Sequence, residues 1–323
     1  MQINWGIIGC GDVCEVKSGP AFNKVPNSKL VAVMRRNADK GKDFATRHDV
    51  PKFYSDADEL INDSAVNAIY IATPPSSHEL YLEKCLQAGK PVYVEKPVTI
   101  NAASLEKMIG FEKKYGGKVS VAHYRRSLPL FIKVRDLVST GVIGKVKLVL
   151  LQTLQPVSKN VIPQVEENWR VNTAISGGGY FHDLSPHQLD IMYWLFGVPL
   201  NSNVMVVNQG QHYNAPDSTL VQLQFANGIH FSGVWNFNVA TSAKADSCQI
   251  IGDKGSICFG FFGSANIEIT TADKKETQEV YLPKHIQEPH IENVVKFFRG
   301  EAQNPCSLQD ALVSMKIMDK ANY

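Results

Sequence analysis

Short apolar runs alternate with longer amphipathic segments over the first third of the chain. Ile3 to Ile8, Leu30 to Met34, Ala68 to Ala72, Pro91 to Val94 and Lys118 to Ala122 read as buried strands. Between them, Ser76 to Ala88 carries Leu80, Leu82, Cys85 and Leu86 at helical spacing, with Gly89 as its stop. Asn101 to Tyr115 is a second helix, with Asn101 as N-cap and Gly116-Gly117 at its end. Alternation of strand and helix predicts βαβ units around a parallel sheet. Right-handed crossovers place the strand C-terminal ends on one edge, where ligands bind in such sheets.

The texture changes after residue 122. A helix is predicted across Leu130 to Thr140. Strand-like runs follow at Val146–Thr153, Val204–Asn208, Thr219–Phe225, Ile229–Phe237, Ala245–Ile251, Ser256–Phe261, Ala265–Thr271 and Glu279–Leu282. Turns such as Ala226-Asn227-Gly228 and Gly252-Asp253-Lys254-Gly255 predict antiparallel hairpins. The expected organisation is an α/β domain over residues 1–122, then an α+β domain over 123–323 with a large open, mostly antiparallel sheet. Ser307 to Tyr323 reads as a last helix, expected to pack back on the N-terminal domain. It reaches the final residue without a cap or polar tail, as a chain cut short would.

Composition narrows the function classes. The 323 residues correspond to about two domains. Lys plus Arg minus Asp plus Glu is 33 − 31 = +2, which gives no electrostatic case for nucleic acid or an anionic membrane as partner. No apolar run approaches the ~20 residues of a membrane span. Met1-Gln2-Ile3-Asn4 runs straight into a strand, without a leader pattern. Cys10, Cys14, Cys85, Cys248, Cys258 and Cys306 form neither a CxxC pair nor a framework, so a reduced, cytoplasmic setting is expected.

Gly9-Cys10-Gly11-Asp12-Val13-Cys14 follows the first strand and opens a helix. A dinucleotide site needs a first glycine for the tight turn and a second where a side chain would block the pyrophosphate. It also needs a small third residue for close helix packing. Gly9, Gly11 and Cys14 meet those needs, and backbone N–H groups at Asp12 and Val13 would hold phosphate. An NAD site usually places an acidic residue at the end of the second strand. Here stand Arg35 and Arg36, which suit a 2′-phosphate, so NADP(H) is favoured over NAD(H). Solvated strand-end charges are the competing reading. Thr73-Pro74-Pro75-Ser76-Ser77-His78 follows the Ala68 to Ala72 strand and forms a rigid loop placed to line a cofactor, or simply a helix cap by Ser76 or Ser77.

Glu95-Lys96-Pro97 ends the next strand and would face the cleft, where an X-Pro bond can be cis; a surface Lys–Glu pair before a loop is the competing reading. Downstream, Gly177-Gly178-Gly179 allows a close backbone approach or a sharp turn. Asp183 and His187 follow, four apart and so on one helix face. With Pro186 in a first turn capped by Asp183 or Ser185, His187 would lie near a helix N-terminus, where the dipole favours the neutral imidazole of a general base. A cap plus a core histidine, or a metal cluster of His182, Asp183, His187 and Asp190, are the other readings. His123-Tyr124-Arg125-Arg126 stands where the domains meet. Arg125 or Arg126 could contact cofactor or substrate, or form an interdomain ion pair, and Tyr124 could contact substrate. Trp169-Arg170 could cover a sugar ring or pack in a core.

In this order, Gly-x-Gly, Glu-Lys-Pro and Gly-Gly-Gly followed by Asp-x-x-x-His resemble the glucose–fructose oxidoreductase, inositol dehydrogenase and rhizopine-catabolism (Gfo/Idh/MocA) family, over nearly the whole chain. The Met34-Arg35-Arg36 strand end is similar to the branch with 1,5-anhydrofructose reductases and other NADP-dependent sugar oxidoreductases. The resemblance implies a Rossmann domain and a second domain whose sheet packs on its mate in a homodimer, with dimers pairing into tetramers. It implies hydride transfer between a nicotinamide and a hydroxyl or carbonyl carbon of a sugar or cyclic polyol, without a metal. Lys96 would anchor the substrate oxygen and cofactor, His187 would move the proton, and Asp183 would orient the substrate or His187. Cys14, in place of the family's third glycine or alanine, is the departure. A non-catalytic nucleotide-binding regulator and a redox-neutral, NAD-dependent glycoside-cleaving enzyme are the alternatives.

Overall fold

The computed structural model describes residues 1–157 and 168–321, which fall into two compact units. The first unit comprises Met1–Ser127 with Pro283–Leu312, and the second Leu128–Leu282 with Val313–Tyr323.

The first unit runs β1 (Ile3–Ile8), α1 (Asp12–Val16), β2 (Ser28–Met34), α2 (Ala38–Arg47), β3 (Lys52–Tyr54), α3 (Ala57–Asn62), β4 (Ala68–Ile71), α4 (His78–Gln87), β5 (Val92–Val94), α5 (Ala102–Tyr115) and β6 (Val119–Val121). Among the described residues, its sheet has six strands in the order β3-β2-β1-β4-β5-β6, every pair parallel. This is the Rossmann order, which reverses direction between β1 and β4. β4, β5 and β6 are buried at every position, as strands covered on both faces must be. Trp5, Phe22, Tyr70 and Tyr93 stack through the core at 4.8, 5.3 and 5.0 Å between successive ring pairs (Trp5–Phe22, Phe22–Tyr70, Tyr70–Tyr93). The Trp5 indole N–H donates to Ser28 Oγ at 3.0 Å, so its one polar atom is satisfied. Asn101 caps α5 by accepting from the Ser104 N–H, and Gly116 ends it at φ +64°, both as its sequence predicts.

The second unit contains α6 (Pro129–Ser139), β7 (Val146–Pro156), α7 (Thr173–Ser176), α8 (Gly179–Phe196), β8 (Pro199–Val207), β9 (Ser218–Phe225), β10 (His230–Val239), β11 (Ala245–Gly252), β12 (Gly255–Phe259), β13 (Asn266–Thr271) and β14 (Lys275–Glu279). Its eight-stranded sheet, counted among the described residues, is ordered β14-β13-β12-β11-β7-β10-β9-β8. β7 and β10 are parallel, and every other neighbouring pair is antiparallel. Period-two burial is clean in β9, where Thr219, Val221, Leu223 and Phe225 point inward. Phe131 of α6 packs on Phe259 and Phe261 at 6.0 and 5.0 Å, and Phe181 of α8 on Trp235 at 5.1 Å. α9 (Glu288–Phe298) and α10 (Leu308–Met318) complete the chain. Phe298 of α9 returns to Trp5 at 5.6 Å, inside the first unit.

Four expectations need correction. The last strand is Lys275–Glu279, not Glu279–Leu282: a polar, charged edge strand has no apolar alternation to betray it. β8 starts at Pro199, five residues before the predicted Val204. α8 starts at Gly179, so Pro186 lies inside it rather than in its first turn. The helix expected over Ser307–Tyr323 is Leu308–Met318, and its last two positions lie outside the described residues.

Candidate active site

Because all six strands of the first sheet are parallel, the segments following them line one edge. Gly9–Gly11 follows β1, Arg35 follows β2, Thr73–Pro75 follows β4, Lys96 follows β5 and Tyr124–Arg125 follows β6. The sequence-predicted cofactor residues of this unit therefore share the rim that brackets the switch point.

Gly9 turns the chain at φ +89°. A Cβ there would lie 2.5 Å from Thr73 Cγ2 and 2.9 Å from Thr73 N, so only glycine lets the β1 and β4 ends approach this closely. Gly11 differs: its Cβ would meet only the Gly9 carbonyl oxygen, at 3.9 Å, and otherwise open space. That is the opening a pyrophosphate needs above a glycine turn. Cys14 is fully buried with Sγ 3.9 Å from the Gly9 carbonyl, so a small side chain does pack where the third glycine is usual. Arg35 Nη1 donates to the Cys10 carbonyl at 3.2 Å, which lays the guanidinium beside the glycine turn, while Arg36 is exposed. Asp12 is exposed, and Val13 packs against the core. These residues fit a dinucleotide.

The next loop is held by His78. Its Nδ1 lies 3.1 Å from the carbonyls of both Pro97 and Val98, and its Nε2 2.5 Å from the Thr73 carbonyl. Burial lowers the imidazole pKa to about 4, while the carbonyls at both ring nitrogens pull it the other way. His78, expected at the cofactor, is a buried tie between the loops after β4 and β5. Ser77 does not cap α4: its hydroxyl contacts Thr73 Oγ1 at 2.8 Å and the Pro74 carbonyl at 2.9 Å. The Lys96–Pro97 peptide is cis. Glu95 is also turned inward, 7% exposed, accepting from Tyr70 OH at 2.6 Å and Gln287 Nε2 at 2.7 Å. Lys96 remains half-buried on the rim. Tyr124 and Arg125 are buried, with the guanidinium 5.0 Å from the Tyr124 ring centroid.

In the second unit, Asp183 and His187 do share a face of α8. Arg170 Nε donates to Asp183 Oδ2 at 3.1 Å and stacks its guanidinium 4.5 Å from the Trp169 ring, so Trp169, Arg170 and Asp183 form one cluster. His187 is buried, with its ring 6.3 Å from Phe262. It stands more than two turns inside α8, so the expected effect of the helix N-terminal dipole does not reach it. The glycine triplet makes a sharp turn and close packing. Gly177 ends α7 at φ +89°, a Cβ on Gly178 would strike the His182 ring, and one on Gly179 would meet Ala215 Cβ at 2.5 Å. His182 bonds the Gly178 carbonyl at 3.1 Å and burial lowers it to about 4. Among the described residues, no group of three or more His, Cys, Asp or Glu is placed to hold a metal ion.

Sequence reasoning missed Gln188. Next to His187, it accepts from the Trp235 indole N–H at 2.7 Å and donates to Thr153 Oγ1 at 2.6 Å, fixing α8 to β10 and β7. It also missed Gln287, since no local pattern marks a residue 192 positions from its partner Glu95.

The two glycines are expected to separate stability from binding. Gly9→Ala should destabilise the ligand-free protein by about 1–3 kcal/mol. Gly11→Ala should stay within about 0.5 kcal/mol of wild type. Urea unfolding without nucleotide checks both.

Residues 3–123 match the model of the oxidoreductase family with an NAD-binding Rossmann fold, and residues 131–258 match the GFO/IDH/MocA C-terminal domain. The chain is 45% identical over 320 residues to "Oxidoreductase P35" of Formosa agariphila, covering 98% of each. Among solved structures it resembles the aldose-aldose oxidoreductase from Caulobacter crescentus complexed with glycerol (TM-score 0.86, 22% identity, 99% of this chain and 96% of that one). It also resembles KijD10, a 3-ketoreductase from Actinomadura kijaniata in complex with NADP and TDP-benzene (TM-score 0.85, 18% identity, 99% and 96%). Both domains are present in the family's order, and the chain belongs to the GFO/IDH/MocA family of NAD(P)-binding oxidoreductases.

Proposed function

We propose that this protein is an NADP(H)-dependent oxidoreductase acting on a CH–OH group, or the matching carbonyl, of a sugar or cyclic polyol. The observation that carries this reading is the strand-end rim. The Gly9–Gly11 turn, Arg35, the Thr73–Pro75 loop and Lys96 follow four neighbouring strands on one edge of the sheet. Gly9, Gly11 and the α1 backbone would hold the pyrophosphate, and Thr73 to Pro75 the nicotinamide side. Arg35 supports the NADP(H) preference: its guanidinium lies beside the turn and carries more N–H donors than the Cys10 carbonyl uses. Arg36 adds positive charge from the exposed strand end. When bound, the cofactor supplies or accepts a hydride at the nicotinamide.

The chain's own residues would handle the oxygen and its proton. Lys96, as an ammonium, hydrogen-bonds the reacting oxygen and stabilises alkoxide charge as it develops. His187 takes the hydroxyl proton in oxidation and returns it in reduction. Asp183, held by Arg170, orients substrate or imidazole, and the half-buried Trp169 offers a ring face to a sugar, whereas Tyr124, expected at the substrate, is buried with Arg125 against its ring. The NADP complex of the 3-ketoreductase and the aldose-acting relative in fold agree with this chemistry.

A homodimer, or a homotetramer of such dimers, through the second unit's sheet belongs to the same reading. Its outward positions include Leu150, Met205, Val207 and Leu220, which are 38–49% exposed. Sedimentation equilibrium should give at least twice the 35.8 kDa chain mass, and a monomer would refute this part.

Turnover is to be sought with NADPH or NADP+ against aldoses, inositols and their keto forms, followed by nicotinamide absorbance. With any active member, Lys96→Met should lower kcat by about 10²-fold or more while leaving the NADPH dissociation constant within about threefold. Near wild-type turnover in Lys96→Met would remove Lys96 from the mechanism.

A further inference from the structure

The buried hydrogen bonds beneath the strand-end lysine run in one direction. Tyr93 OH donates to Gln287 Oε1 at 2.9 Å, and Gln287 Nε2 donates to Glu95 Oε1 at 2.7 Å. Tyr70 OH donates to the same oxygen at 2.6 Å. The other carboxylate oxygen, Oε2, accepts the backbone N–H of Lys96 at 3.3 Å. Burial and the neighbouring Glu95 push the Tyr70 hydroxyl well above its usual range, so it stays protonated and donating. The carboxylate is thus the sink of the network. Its orientation is set by two side chains on one oxygen, and the other oxygen reaches the peptide from which Lys96 starts.

Gln287 is fully buried and comes from the segment just before α9. Its own backbone is anchored too: the Gln287 N–H donates to the Lys17 carbonyl at 3.2 Å, beyond the end of α1. Its carboxamide has one orientation that satisfies both neighbours. The oxygen must face Tyr93 and the nitrogen Glu95, because a carboxylate offers only acceptors. A glutamine in this place serves as an adaptor that reads a phenol on one side and a carboxylate on the other.

We propose that Gln287 and Tyr70 are positioning residues for Lys96. Acting through Glu95, they fix the strand-end turn so that the ammonium is delivered in one place. The inference rests on the role proposed above for Lys96. Glu95 is then a buried support of the lysine rather than a contact of the cofactor. Loss of either donor leaves the carboxylate with one side-chain partner and loosens the turn. A small displacement of a group that stabilises developing charge lowers the rate of the chemical step more than it lowers binding.

The test compares full-length Gln287→Leu, Tyr70→Phe and Lys96→Met with wild type. It reads amide hydrogen exchange over residues 92–100, NADPH affinity by fluorescence titration, and kcat and KM with the most active sugar or inositol of the panel. Gln287→Leu and Tyr70→Phe are each expected to speed exchange at the Lys96 amide. Each should also lower kcat about tenfold or more, with KM and NADPH affinity within about threefold. Should Gln287→Leu fail to fold, Tyr70→Phe removes a single oxygen atom and carries the same expectation. Wild-type kcat in both, beside an inactive Lys96→Met, overturns the inference and leaves the proposed function standing. Full activity of Lys96→Met, or no turnover anywhere on the panel, counts against the proposed function instead. Exchange then decides alone: faster exchange at Lys96 upholds the positioning role, and unchanged exchange overturns it.

Discussion

The close approach of two strand ends, at Gly9 and Thr73, is the constraint from which the rest of the candidate site follows. There is no room for a Cβ between them, and the turn that results leaves open space over Gly11. Parallel pairing then fixes what stands beside that opening. Arg35 arrives on one side from β2, and the loops after β4 and β5 arrive on the other. β4, β5 and β6 bury both faces in an aromatic and aliphatic core, so shifting any one of them would expose apolar surface at about 25 cal/mol per Å². Core packing therefore holds the rim.

Polar groups hidden behind the rim do a second job. A carboxylate taken out of water is costly unless several donors meet it. Glu95 is met by Tyr70, Gln287 and a backbone N–H, and His78 ties the same strand-end turn to the Thr73 loop. Such networks specify one arrangement because every alternative leaves a buried group unsatisfied. The second unit uses the same device at Gln188, the residue after His187, whose amide joins Trp235 to Thr153. Both units thus set a proposed reactive side chain next to a residue whose own hydrogen bonds are fully directed inward.

Much of this was legible in the sequence, for identifiable reasons. Buried parallel strands are continuous apolar runs, and the β9–β10 and β11–β12 turns carry Asn-Gly or Lys-Gly signals, so those elements were read correctly. The glycine turn and the arginine strand end are local patterns as well. The helices Ala38–Arg47, Ala57–Asn62 and Glu288–Phe298 were not read, and two further kinds of feature escaped. Short or polar edge strands, Lys52–Tyr54 and Lys275–Glu279, have too little apolar periodicity to register. Long-range contacts leave no local trace: Gln287 with Glu95, and Gln188 with Trp235. Pro186 misled for a physical reason. Proline usually marks a first helical turn, yet α8 carries it inside, which removed the dipole expected at His187. The Gly-Gly-Gly run was read as a close ligand approach or a sharp turn, and the turn is present: Gly177 and Gly179 have φ +89° and +78°, with His182 and Ala215 leaving no room for a Cβ at Gly178 and Gly179.

The central claim is that the rim holds a dinucleotide with Arg35 placed at a 2′-phosphate. Paired fluorescence titrations of the wild-type chain with NADPH and NADH, at one pH and low salt, test it most directly. A charge-assisted guanidinium contact worth about 1.5–3 kcal/mol predicts NADPH binding about tenfold to a hundredfold more tightly than NADH. Equal affinities, tighter NADH, or no saturable binding of either nucleotide would contradict it.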